Sequence, residues 1–118
     1  MFYEFKNAKP NPYIPGVLDA SPEDVFKNST EVYLVDVRED SEYTGELGHA
    51  PQSRLVNLGN LQDKLSEFPR DKTIVFICRS GGRSARASQL AQLEGFTHVY
   101  NMEGGMLLWN DLNLPTET

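Results

Sequence analysis

Cys78 is the one thiol in a chain of 118 residues, and it opens the segment Cys78-Arg79-Ser80-Gly81-Gly82-Arg83-Ser84. A single cysteine forms no internal disulfide and has no second thiol in the chain with which to resolve a mixed disulfide or build a multi-thiolate zinc site. Taken alone it reads as a small buried hydrophobe. Its neighbours point elsewhere. Arg79 and Arg83 bring two full positive charges, and Gly81 and Gly82 permit the close turns in which successive backbone amides converge on one point. A thiol at the start of such a cradle has its thiolate stabilised and its reactive fraction raised. The same cradle suits a persulfide, Cys–S–S⁻, whose outer sulfur carries the charge, and the oxyanion end of a donor such as thiosulfate.

A strand and a helix must position this loop. Thr73 to Ile77 is the strongest strand pattern in the chain, and Arg83 to Glu94 is helical, with Ala87, Leu90, Ala91 and Leu93 assigned to its apolar stripe. Cys78 therefore stands just after a buried strand and just before a helix start, where unpaired amides and the helix dipole favour negative charge. Gly95 and Phe96 close the helix as a glycine cap with its hydrophobic contact.

Further strands are expected at Val17-Leu18-Asp19, Val32 to Asp36, Arg54 to Leu58 (weakly) and Val99 to Met102. Helices are expected after Ser21, from Pro22 to about Asn28, for one turn at Glu39 to Tyr43, from Asn60 to Phe68 and from Gly105 to Leu112. Strands alternating with helices predict a parallel or mostly parallel sheet covered on both faces, with ligands beyond the carboxyl ends of the strands. The expected organisation is an arm over residues 1–14, one domain over 15–112 and a short tail over 113–118. The proline-rich start and the tail from Pro115 are expected to be loose, although Phe2-Tyr3-Glu4-Phe5 reads as an arm packing on the body.

The pieces Val35-Asp36-Val37-Arg38-Glu39, Glu42-Tyr43, Gly48-His49, the loop Cys78 to Arg83, Gly95-Phe96, and Gly104-Gly105 with Trp109 stand in an order and spacing that resembles the rhodanese family over about residues 15 to 112. The resemblance implies a three-layer α/β/α fold with a central five-stranded parallel sheet. It also implies a ping-pong sulfurtransferase in which Cys78 takes a sulfane sulfur from a donor and yields it to a thiophilic acceptor, with no metal or organic cofactor. One departure stands out: after Gly48-His49 the family usually continues Ile-Pro-Gly-Ala, and here the chain reads Ala50-Pro51-Gln52-Ser53. A local difference in the approach of the next strand is expected.

Around Cys78 the donor-binding candidates are Arg79, Ser80, Gly81, Gly82, Arg83 and Ser84. Asp36, Arg38 and Glu39 follow a strand end and are expected to support the loop through ion pairs and hydrogen bonds. His49 is placed like a structural histidine rather than a general base, Trp109 as core, and Arg86 as a solvent-facing charge. Met106 is expected to line the mouth of the pocket, because it follows the last strand at the same end of the sheet.

A cysteine phosphatase or arsenate reductase uses a similar loop, but with one residue more between nucleophile and arginine than the four that separate Cys78 from Arg83. A non-catalytic, partner-binding rhodanese-like module commonly lacks the cysteine that this chain keeps. A redox sensor built on the same thiol is a third reading. The net charge of −6 argues against nucleic acid and anionic membranes as partners. The longest apolar stretches, such as Ile74 to Ile77, are too short to span a bilayer, and Met1-Phe2-Tyr3-Glu4-Phe5-Lys6 does not read as the apolar run of a signal peptide, so a cytoplasmic protein is expected, as a monomer or weak homodimer. Its partners are then a small anionic sulfur donor and, with the same loop, a protein thiol or persulfide.

Overall fold

The computed structural model describes residues 2–118. In chain order its elements are β1 (Lys9–Pro10), β2 (Leu18–Ala20), α1 (Pro22–Lys27), β3 (Val32–Asp36), α2 (Asp40–Tyr43), β4 (Arg54–Leu55), α3 (Leu61–Lys64), β5 (Thr73–Ile77), α4 (Gly82–Leu93), β6 (Val99–Met102) and α5 (Gly105–Asp111). The sheet runs β1-β2-β6-β5-β3-β4. The five strands from β2 to β4 are parallel, as expected, and β1 adds a sixth that pairs antiparallel with β2.

Every residue of β5 is buried, which explains its continuous apolar run: a central parallel strand has a helical layer on each face. Alternate residues divide the interior in two. Leu34, Val75, Ile77, Tyr100 and Met102 meet Val25 of α1 and Met106 and Trp109 of α5. Val35, Ile74, Phe76, Cys78 and Val99 meet Leu61 of α3 and Ala87 and Ala91 of α4.

The ends of the chain are better held than their composition suggests. Phe5 is buried, its ring edge-on to Tyr100 at 4.9 Å, and the Thr73 hydroxyl donates to the Tyr3 carbonyl at 2.6 Å. Fully covering one such aromatic contributes about 2 kcal/mol. β1 hides from pattern reading because it has two exposed residues, one of them a proline confined to an edge by its missing N–H. At the other end, Glu117 and His49 exchange backbone hydrogen bonds of 2.8 and 2.9 Å, and the Trp109 indole donates to the Pro115 carbonyl at 2.9 Å.

Three local expectations are corrected. The helix predicted from Asn60 to Phe68 is a single α turn, α3, between two 3-10 turns at Leu58–Asn60 and Leu65–Glu67, yet Leu61, Leu65 and Phe68 are buried as their spacing implies. The strand predicted to Leu58 is ladder-paired only at Arg54–Leu55, and Val56 and Leu58 instead donate to the carbonyls of Asp36 and Val37 as β3 ends. Leu93 is 76% exposed. The buried stripe of α4 is Ser84, Ala87, Ser88 and Ala91, spaced i, i+3, i+4, i+7, and Leu93 lies on the opposite side. These small residues bring the helix close to the sheet.

Gln52 takes φ of 71°, in the left-handed region where a side chain costs roughly 1 kcal/mol and glycine costs nothing. It occupies the place of glycine in the family pattern, so the departure noted in the sequence is a conformational cost carried just before β4. Among the described residues no helix is long and apolar enough to cross a membrane.

Candidate active site

At the end of β5 the chain turns through Cys78 to Gly81 and enters α4 at Gly82. Gly81 has φ of 107°, a value that favours glycine, and a side chain there would also stand 3.4 Å from the Gly104 amide. That turn brings its N–H to 3.0 Å from Cys78 Sγ, and the Ser84 hydroxyl lies 3.2 Å from the same sulfur. The amides of Gly82, Arg83 and Ser84 belong to the first turn of α4, where backbone N–H groups have no intrahelical acceptor. Cys78 is thus buried at the positive end of a 12-residue helix.

The loop is also held from its other side. Met106 and Leu107, at the start of α5, donate to the carbonyls of Cys78 and Arg79 at 2.8 and 3.0 Å. Gly105 permits this approach, because a Cβ there would lie 2.5 Å from the Arg79 carbonyl group. The Gly104-Gly105 segment thus reaches the loop, and the role given to Met106 changes. Its side chain is wholly buried against α1 and the other face of the sheet, so it does not line the mouth, and it serves the loop through its backbone N–H.

Arg83 turns its guanidinium to Glu42 of α2, in a two-pronged pair of 2.8 and 2.9 Å. The hydrogen bonds from Arg83 hold the Glu42 carboxyl down from 4.5 to about 2, against a smaller opposing effect of burial. Because the folded value is depressed, the pair adds stability in full above the unfolded value of 4.5 and loses it as pH falls from there towards about 2. Arg83 is 36% exposed, so solvent screening limits the gain to about 1 kcal/mol. Chemical denaturation between pH 5 and pH 2 is expected to show a smaller loss of stability in Glu42→Gln than in the unaltered protein. Equal slopes would contradict the pairing.

Asp36 and Arg38 form a buried ion pair at the end of β3. Arg38 contacts both Asp36 carboxylate oxygens at 2.8 to 3.1 Å and donates to the carbonyls of Gly48 and Glu42 at 2.8 and 3.1 Å. It thereby fixes α2 and the turn after it, which carry the partner of Arg83. Glu39 is exposed, and its backbone N–H donates to the Glu42 carboxylate at 3.0 Å. His49 is stacked on Tyr43 at 3.7 Å with Nδ1 on the Tyr43 carbonyl at 2.8 Å, a structural placement.

Two hollows flank the loop. A cleft of about 1130 Å³ is lined by Ser80 to Arg83, by Arg86 and Leu90 of α4, and by Tyr13 and Ile14 of the arm. A smaller hollow of about 160 Å³ on the other side is lined by Arg79, Arg38, Glu42 and Leu47. Sequence reasoning passed over three residues here. Glu42 figured only within the family resemblance, and Asn101 and Asp19 were read simply as strand residues. Asn101 accepts a hydrogen bond from Ser84 and donates to Asp19 at 2.9 Å. The available signal was one polar residue in each of two otherwise apolar strands, next to the last position.

A family model described as the rhodanese-like domain matches residues 10–112. The Bacillus subtilis protein YtwF is 36% identical over 102 residues, covering 86% of this chain and 96% of its own length. A sulfurtransferase of Allochromatium vinosum is 32% identical over 88 residues, 75% of this chain and 80% of that protein. Among solved structures, a rhodanese-related protein from Thermoplasma volcanium superposes with a TM-score of 0.76 at 28% identity, over 82% of this chain and 94% of that one.

Proposed function

The chain belongs to the rhodanese-like domain family, and from that premise we propose that it moves sulfane sulfur from a small anionic donor such as thiosulfate to a thiophilic acceptor through a persulfide on Cys78. The observation that carries this reading is the position of Sγ, 3.0 Å from the Gly81 amide and at the start of α4. In the first step the Cys78 thiolate attacks the sulfane sulfur of thiosulfate. A Cys–S bond forms, the S–S bond of the donor breaks, and sulfite leaves with the electron pair. In the second step an acceptor nucleophile takes the outer sulfur and Cys78 returns as thiolate. The free amides of the first α4 turn are suited to hold the outer sulfur anion between the steps.

Arg79, beside the smaller hollow, and Arg86, beside the larger cleft, supply positive field for an anionic donor, and Arg83, paired with Glu42, braces the start of α4 at the cleft wall. A reducing cytoplasm, which keeps a single thiol available, suits this chemistry. A protein thiol or persulfide fits the same loop as an alternative partner, because the larger cleft exceeds what thiosulfate fills.

Thiocyanate production from thiosulfate and cyanide tests the proposal, and its absence with an intact thiol would overturn it. Arg83→Ala is expected to lower kcat/KM for thiosulfate roughly tenfold, since it removes both a charge and the tie between α4 and α2. Arg86→Ala, a cleft-wall charge, is expected to lower it less than about threefold. Equal losses would mean that diffuse positive field, rather than the braced loop, selects the donor.

A further inference from the structure

The Ser84 hydroxyl carries one proton and stands between two acceptors, Cys78 Sγ at 3.2 Å and Asn101 Oδ1. Which of them receives it is decided at the far end of Asn101. The Asn101 amide nitrogen donates to Asp19 Oδ1 at 2.9 Å, so the amide oxygen is the end that faces Ser84. Turning that amide over would set its oxygen against a carboxylate, which only accepts. Asp19 and Asn101 are register partners on β2 and β6, Asn11 Nδ2 donates to the same Asp19 oxygen at 3.0 Å, and Asp19, Asn101 and Ser84 are all buried.

We propose that Asn101 is a positioning residue for Cys78: anchored by Asp19, it holds the Ser84 proton away from the sulfur and so favours the thiol and persulfide forms over the free thiolate. The three forms of the sulfur ask different things of Ser84. A thiol S–H donates to Ser84 Oγ while the Ser84 proton stays on Asn101. In a persulfide the inner sulfur has neither proton nor charge, and the Ser84 proton again stays on Asn101. Only the thiolate draws that proton to itself, and the buried Asn101 oxygen is then left without a donor, which is costly.

The consequence for sulfur transfer rests on the persulfide reading given above. On discharge the acceptor forms a bond to the outer sulfur, the S–S bond breaks, and its electron pair goes to Cys78 Sγ. The leaving group is the form that Asn101 disfavours, so Asn101 lengthens the life of the loaded sulfur. The charged groups near the sulfur are Arg79, Arg83 and Arg86 on the loop and α4, Glu42 on α2, the Asp36–Arg38 pair after β3, Asp19 on β2, and Glu103 after β6 paired with Lys9. Replacing Asn101 by leucine changes none of these charges.

The test measures alkylation of Cys78 by iodoacetamide across pH in the sulfur-free protein, for Asn101→Leu, Ser84→Ala and the double variant. Asn101→Leu is expected to shift the pH profile downward and to raise the rate at pH 7 about three- to tenfold. The gain should vanish when Ser84 is also alanine. An unchanged profile, or a gain that survives Ser84→Ala, would overturn the proposal. Should the leucine variant fail to fold, Asn101→Ala carries the same expectation. Single-turnover discharge of the persulfide to cyanide should be faster in Asn101→Leu by a similar factor, and an unchanged or slower discharge would overturn the extension to sulfur transfer. An unaltered protein that never takes up sulfur would sink the persulfide reading instead, and the alkylation series would still decide the role of Asn101.

Discussion

Cys78→Ala is expected to bring sulfur loading and thiocyanate production down to the rate without protein. The fold should survive, because the change removes one buried atom and, apart from the Gly81 amide, leaves the polar groups around it with other partners. Ser84 keeps Asn101 as acceptor, and Met106 and Leu107 still hold the backbone of the loop. A stability loss within about 1–2 kcal/mol is expected, since the cavity left is small. Circular dichroism and urea denaturation check the fold, and a thiocyanate assay checks the chemistry. Residual turnover above a few per cent in a folded variant would place the nucleophile elsewhere.

Arg38→Ala is expected to have the largest effect on stability. It strands Asp36, a carboxylate with no exposed surface, and removes the donors to the Gly48 and Glu42 carbonyls. Breaking a buried pair from one side costs about 3–5 kcal/mol, a large part of the 5–15 kcal/mol that holds a domain of this kind together. Arg38→Lys should recover little of it, because an ammonium cannot copy the planar fork that serves the carboxylate and two carbonyls together. Urea midpoints at fixed slope measure the difference. A loss under about 1 kcal/mol would mean that Asp36 finds water or another donor.

Much of this arrangement is legible in the chain. Thr73–Ile77 reads as a strand because a central parallel strand buries both faces and carries a nearly continuous apolar run. The glycine pair after Cys78, followed by a helical stripe, marks the turn that brings an amide to the sulfur. Arg38 reads as a support because charge directly after a buried strand must find a partner.

What stays hidden depends on tertiary neighbours. Arg83 looks like a free donor-binding charge in sequence, and its partner Glu42 lies 41 residues earlier on an element of a single turn. Asn101 and Asp19, 82 residues apart, meet only because β2 and β6 are adjacent in the sheet. Met106 follows the last strand at the end of the sheet that carries the loop, which in sequence points to the mouth, whereas the left-handed turns at Gly104 and Gly105 send its side chain into the core. The two-residue β1 carries no periodicity to read, and its proline argues against a strand until the edge position is known.

The intact mass of the protein after incubation with thiosulfate and removal of excess reagent tests the persulfide most directly. The expected result is the gain of one sulfur atom, located on Cys78 by peptide mapping, absent in Cys78→Ala and lost on addition of cyanide with release of thiocyanate. An unchanged mass, in a protein whose Cys78 is still free to react with iodoacetamide, would contradict it.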